Sequence, residues 1–271
     1  MKILYCGDVV GRPGRKIIAE KLPELRKALN LDFVIVNAEN AAHGFGLTPK
    51  IYQEIKSAGA DAVTLGNHTF DKKEIIPFLQ EENDLVRPAN YPEGTPGKGA
   101  KVFTLADGRK IAVLQVLGTL YMHAVLHPFE TLDTLLAQYR LQENVQFVFV
   151  DIHCEATSEK VATGFYCDGR ASLVAGTHTH IPTADAQILP KGTGFITDVG
   201  MCGTYRSVIG MTPETALGRF FPDRKSMPLQ PANDSATLCA VFCETDDKTG
   251  KAVKIFPVRV GGYLEESFKV C

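Results

Sequence analysis

From the N-terminus to Thr197 the chain is punctuated by short unbroken apolar runs: KILYC (2–6), FVIV (33–36), DAVTL (61–65), KIAVLQV (110–116), VQFVFV (145–150), ASLVA (171–175) and GFIT (194–197). Continuous rather than alternating hydrophobicity marks strands covered on both faces. Between several of them the period becomes helical. RKIIAEKLPELRKAL (15–29) sets Ile17, Ile18, Leu22, Leu25 and Leu29 on roughly one face, with Pro23 expected to kink or break it. LTPKIYQEIKSAG carries Thr48 as N-cap, Pro49 at the first helical position and Gly59 past the last turn. DKKEIIPFLQ offers Asp71 as N-cap with Glu74 three residues on, and ETLDTLLAQYRL (130–141) is a further amphipathic helix. Toward the C-terminus the pattern changes. ATLCAVFCETDDKTGKAVKIFPVRV is two strand-like runs about a DDKTG turn, an antiparallel hairpin. The sequence shows no repeat, low-complexity tract or linker, and RPANYPEGTPGKG (87–99) is expected to be a loop inside one domain, residues 1–271. Two stacked sheets flanked by helices accommodate both patterns.

Composition narrows the function classes. With 271 residues, 45% of them apolar, there is ample material for a core. A net charge of −2 lacks the basic footprint of a dedicated nucleic-acid binder, so no stable nucleic-acid complex is expected, while a small phosphorylated substrate stays compatible. The seven cysteines (6, 154, 167, 202, 239, 243 and 271) include no C-x-x-C and fit no disulfide framework. They read as mostly buried free thiols in a reducing compartment. The N-terminal apolar run is too short for a signal peptide and no apolar stretch approaches ~18 residues, so a cytoplasmic protein with no membrane association is expected. Apolar loops around 117–129 are compatible with a homo-oligomer.

The residues just beyond the strand-like runs are chemically consistent: Asp8, then Glu39 and Asn40, Asn67 and His68, His153, and finally His178 and His180. In an open parallel sheet these positions share one rim, beyond the carboxyl ends of the strands. Carboxylate, carboxamide and imidazole donors suit iron, manganese or zinc. If extended, His178 and His180 point to one face, while Cys154 points away from His153 into the core. Each residue alone also fits a turn, a cap or a satisfied core histidine; their recurrence at five strand tips is what predicts a metal centre. Asp8, Glu39, Asn40, Asn67, His153, His178 and His180 are too many for one tetrahedral site and suit two metals, a pairing fitted to phosphoester hydrolysis.

GD (7–8), GNH (66–68) and GTHTH (176–180), in that order, resemble the signature blocks of calcineurin-like metallophosphoesterases. The resemblance implies an α/β fold, a four-layer α/β/β/α sandwich of two mixed sheets with a dinuclear centre at the strand ends. Two positions depart from the general pattern: Val10 stands where a His is usual two residues after the Asp, and NAEN replaces the usual GDxxD block. Either a metal is lost, or the site is rebuilt with Glu39 bridging and Asn40 replacing the His. GDVVGRPGR, NAENAAHGFGLT, GNHTFDKKE, RPANYP, DIHCEATSEK, GTHTHIPTAD and ITDVGM together look like the YmdB family of bacterial metallophosphoesterases.

That resemblance implies a phosphodiesterase for small cyclic nucleotides, 2′,3′- and 3′,5′-monophosphates, with two metal ions, iron first and manganese or zinc as alternatives, and a metal-activated water. It places Asp8, Glu39, Asn40 and His180 on one metal and Glu39, Asn67, His153 and His178 on the other, with His68 as general acid. The residues agree, since a strand ending in Asn67-His68 is a rigid post for one ligand and one proton donor. His43, in a Gly-rich loop near Glu39, is expected to contact substrate. His123 and His127 are lid or packing residues, Arg12 and Arg15 steer phosphate or open a helix, and Asp198 orients a ligand. A phosphomonoesterase, a nuclease and a non-catalytic nucleotide sensor are the alternatives.

Overall fold

The computed structural model describes residues 1–81, 84–122, 125–221, 223 and 227–268. The first half comprises β1 (Lys2–Cys6), β2 (Asp8–Val9), α1 (Gly11–Leu29), β3 (Phe33–Asn37), α2 (Pro49–Ser57), β4 (Ala62–Thr64), α3 (Ile75–Glu81), β5 (Leu85–Val86), β6 (Ala100–Thr104) and β7 (Lys110–Leu117). Then come α4 (Pro128–Gln138), β8 (Phe147–His153), α5 (Thr157–Cys167), β9 (Leu173–Thr177), β10 (Gln187–Ile188), β11 (Gly194–Ile196), β12 (Met201–Thr204), α6 (Pro213–Leu217), β13 (Ala236–Thr245) and β14 (Ala252–Val260).

One sheet runs β2-β12-β13-β1-β3-β4-β5 with β14 added on β13, and the other runs β10-β11-β9-β8-β7-β6. Both are mixed. β1, β3, β4 and β5 are parallel while β13 lies antiparallel to β1. β7, β8, β9 and β11 are parallel, with β6 and β10 antiparallel at the edges. The sheets face one another across Tyr5, Ile35 and Val241 of the first and Val113, Phe149 and Leu173 of the second. α1, α2 and α3 cover the outer face of the first sheet through Ile18, Leu22, Leu25, Tyr52 and Leu79. Leu132 and Leu136 of α4, with Cys167 of α5, cover the second. The result is a four-layer α/β/β/α sandwich whose two inner sheets are buried on both faces, which is why their strands read as unbroken apolar runs.

Three expectations need correction. α1 starts earlier than expected and runs through Pro23 without a break; Pro23 and Ala19, whose carbonyl the ring leaves without an N–H partner, both face solvent, where water can donate to that carbonyl. Asp71 caps no helix: α3 begins only at Ile75, and the Asp71 carboxylate lies 2.8 Å from His68 Nδ1 instead. β8 and β9 extend past the apolar runs to His153 and Thr177, since parallel pairing of Leu117 with His153 and of His153 with Thr177 carries the ladder onward. α5, β6 and β12 had no counterpart in the apolar pattern. Thr48 does cap α2, its hydroxyl accepting from Ile51 N–H at 3.3 Å, with Pro49 next and Gly59 at φ 108° beyond the end. The six described cysteines are buried free thiols, and among the described residues no helix is long and apolar enough to cross a membrane.

Candidate metal centre

The carboxyl ends of β1, β3, β4, β8 and β9 open on one rim, and the seven expected donors meet there. Glu39, His153 and His178 offer ligand atoms within 4.8 Å of one another, and Asp8, Glu39 and His180 form a second such group, so that Glu39 belongs to both. Asn67 joins the first, its Oδ1 2.9 Å from His153 Nε2. Asn40 joins the second, its Oδ1 3.3 Å from His180 Nε2 while its amide donates to the Gly44 carbonyl. A Cβ on Gly66 would overlap the Glu39 carboxylate and the His153 ring, so only glycine lets the chain beyond β4 come this close. That approach also lets His68 N–H donate to Glu39 Oε2 at 3.1 Å.

The hydrogen bonds fix how the imidazoles face. Thr177 Oγ1 donates to Asp151 Oδ1 at 2.7 Å, so it accepts a hydrogen bond from His153 Nδ1–H at 2.9 Å. Asp151 is itself held by Tyr5, Thr64 and Gln115 at 2.5, 3.0 and 2.7 Å. His153 Nε2 therefore points into the cluster, toward Asn67 Oδ1, Glu39 Oε1 at 3.1 Å and His178 Nδ1 at 3.2 Å. His178 has Glu155 Oε2 3.3 Å from its other nitrogen. His180 donates from Nδ1 to the Ile209 carbonyl at 2.8 Å, which leaves Nε2 as a lone pair toward Asn40 Oδ1. Each histidine thus has its outer nitrogen fixed and its inner nitrogen among acceptors, the arrangement of imidazoles that ligate a metal.

A cation answers what these lone pairs lack. Asp8 Oδ1 is buried and has no hydrogen-bond partner, the one such side-chain atom among the described residues. Burial raises Asp8, outweighing the pull of His180 and His153. Burial also opposes charge on Glu39 and on His153, yet their mutual attraction wins, lowering Glu39 and lifting His153 to about 9. Burial and the His153 charge push His178 down to about 3. One proton on His153 Nε2 cannot satisfy an amide oxygen, a carboxylate and a second imidazole together; a metal ion would.

His178 and His180 are not on an extended strand as expected: their φ angles are 97° and 66°, left-handed backbone that non-glycine residues seldom adopt. Their turn is held by Asp198, which accepts from Thr179 N–H at 3.3 Å and Thr179 Oγ1 at 2.6 Å, and which pairs with the wholly buried Lys160 of α5 at 2.6 Å. Asp198 thus fixes the turn that carries His178 and His180 by holding the residue between them. His178 N–H also donates to Asp8 Oδ2 at 3.2 Å, across 170 residues of sequence.

His68 lies beside the donors, its Nδ1 on Asp71 and its ring edge on Phe45, 5.0 Å away. His43 is exposed at φ 57° and does not line the cavity over the centre; Phe45 does. Arg15 braces the loop before Phe45 through the Ala41 carbonyl at 2.6 Å, whereas Arg12 lines a groove with Asp234 away from the donors. His127 packs on Phe129 at the start of α4, and His123 falls outside the described residues. Thr177, Glu155, Lys160, Ile209 and Asp71 are the participants that sequence reasoning missed.

A family model of YmdB-like proteins matches residues 4–258. The chain belongs to the YmdB-like family. One relative, the 2′,3′-cyclic-nucleotide 2′-phosphodiesterase of Bacillus subtilis (strain 168), is 49% identical over 257 residues, spanning 94% of this chain and 95% of that protein. The crystal structure of a novel phosphatase from Mycoplasma pneumoniae superposes with a TM-score of 0.89 at 38% identity, covering 96% of this chain and 93% of that one. The crystal structure of a hypothetical protein from Thermus thermophilus does so with a TM-score of 0.90 at 43% identity, over 97% and 100% of the two chains. In this YmdB-like chain Val10 is buried at the N-cap position of α1, and the Asn40 side chain reaches His180.

Proposed function

We propose that the chain is a metal-dependent phosphodiesterase that opens small cyclic nucleotides, 2′,3′-cyclic monophosphates first and 3′,5′-cyclic ones second. The observation that carries this reading is the pair of donor groups sharing Glu39, their lone pairs facing one another, with His68 at their edge. The substrate is that of the activity for which the Bacillus subtilis relative is named. Asp8, Glu39, Asn40 and His180 would hold one ion, and Glu39, Asn67, His153 and His178 the other, so the site is rebuilt around Asn40. The mixed donor set suits iron, manganese or zinc, and iron comes first because the family resemblance implies it. The ions would supply an activated water and neutralise phosphate charge. Asp71 engages His68 Nδ1 and leaves Nε2 to hand a proton to the departing ribose oxygen. Phe45 keeps that ring from swinging away. The buried free thiols fit a reducing, cytoplasmic setting.

The test is an assay of purified protein on 2′,3′-cyclic AMP with Mn²⁺ or Fe²⁺ and again with chelator, with bound metal counted and the monoester product offered as a rival substrate. Metal-dependent opening of the cyclic diester, with two metals per chain, is expected. His68→Ala should cut turnover by ~10²–10⁴-fold and leave the metal in place. Preferential hydrolysis of the monoester would assign a phosphomonoesterase, and fewer than one metal per chain after reconstitution would overturn the centre itself.

A further inference from the structure

Over the donors the cavity changes character. It encloses about 390 Å³, a size for one small ligand. Its floor includes Glu39, Asn40, His68, His178 and His180, whereas Phe45, Val208, Ile209, Met211, Phe220 and Leu229 line its wall. Among the described residues, its polar side chains beyond the donors and His68 are Glu155, Thr179 and Arg219. Phe220 is 72% exposed and Ile209 47%, large apolar groups facing water at the mouth of a polar site.

This wall is tied to the centre. Ile209 has φ 46°, a conformation that a β-branched residue very rarely adopts. Such strain persists only where the surroundings impose it, typically at a ligand site. Two sets of bonds do so: the Ile209 carbonyl accepts from His180 Nδ1 at 2.8 Å, and Val208 and Met211 exchange backbone hydrogen bonds of 2.8 and 3.0 Å on either side. The strained residue therefore orients a metal-donor imidazole with its backbone and presents its side chain to the cavity.

We infer that the wall of Phe45, Ile209, Met211 and Phe220 is a base subsite that holds the nucleobase of the substrate by stacking and apolar contact. This rests on the activity proposed above. A cyclic phosphate on the floor directs the rest of a mononucleotide up the wall, and an aromatic ring is the part of it that gains from apolar cover. With few polar side chains among its described residues to read base edges, the subsite recognises that a base is present rather than which one it is. Purine and pyrimidine nucleotides then differ little, while a ribose lacking its base is a poor substrate.

The experiment compares kcat/KM of the metal-loaded protein for 2′,3′-cyclic AMP, 2′,3′-cyclic UMP and 1-O-methylribose 2,3-cyclic phosphate, in the wild type, Phe220→Ala and Phe220→Trp. Phe220 is exposed, so neither substitution threatens the fold. The wild type is expected to favour both nucleotides over the base-free diester. Phe220→Ala should shrink that preference about tenfold, mainly through KM, and Phe220→Trp should restore it. Equal use of all three diesters by the wild type, or a preference that survives Phe220→Ala, overturns the subsite and leaves the phosphodiesterase standing. Failure of the wild type to open any of the three overturns the activity and the subsite with it.

Discussion

His153 and the pair His178 and His180 bring the same imidazole chemistry to the centre by different means. His153 ends β8, is wholly buried, and has its outer nitrogen on a Thr177–Asp151 relay inside the sheet. His178 and His180 lie just past β9 in left-handed backbone, propped by Glu155, the Ile209 carbonyl and the Lys160–Asp198 pair acting through Thr179. A strand positions a ligand by register, with no special backbone. A turn that must aim two imidazoles at two neighbouring sites takes strained backbone and props from three other segments.

Changing what the two halves share has the largest expected effect. Glu39→Gln keeps the size and removes the charge common to both donor groups, so metal content should fall below one per chain and turnover by at least ~10³-fold; one ion retained at full occupancy would show that the halves are independent sites. Lys160→Met strikes the turn alone. It leaves Asp198 buried without its cation and should cost ~3–5 kcal/mol in urea unfolding, whereas an unchanged midpoint would mean that the turn holds itself.

A pH series sharpens the strand half. Without metal, Glu39 and Asp8 keep His153 protonated up to about 9 against the cost of burial, so an incoming ion must displace that proton. Metal affinity should rise roughly tenfold per pH unit from about 6.5 toward 9, read by competition with a chromogenic chelator. The linkage sign is that of a raised histidine: its stabilisation is complete below about 6.5 and is lost as pH climbs through 9. The metal-free protein should therefore lose Tm across that window, and flat affinity or flat Tm would contradict a protonated His153.

Smaller effects separate the two kinds of prop. Thr177→Val removes the hydroxyl that fixes His153 and should weaken metal binding ~10–100-fold, with Thr177→Ser restoring it. Glu155→Gln touches a half-exposed partner of His178 and should cost under ~10-fold. The reverse ranking would invert the contrast between buried and exposed support.

The same contrast explains what the sequence disclosed. Strands covered on both faces leave unbroken apolar runs, and donors placed just after them, such as Asp8, Glu39 and His153, can be read from position alone. The sandwich was legible for that reason, and so were the seven positions that the fold gathers at one rim. Props are fixed by tertiary contact, and their sequence signals have commoner meanings. Asp71 looks like a helix cap and pairs with His68; Lys160 looks like a surface lysine and is buried. Pro23 reads as a break because a proline inside a helix usually ends it, whereas here Pro23 and Ala19 both face water. His43 and Phe45 lie two residues apart in one loop, and only the turn between them decides which of the two lines the cavity.

The hydrogen bond from His178 N–H to Asp8 joins residues 170 apart in the chain, and the donors as a whole come from both sheets. Contacts so distant in sequence close after the local ones. The rim that gathers these donors is therefore expected among the last parts of the molecule to become complete during folding. Metal held there would clasp the two sheets to one another, so loading should slow unfolding more than it speeds refolding.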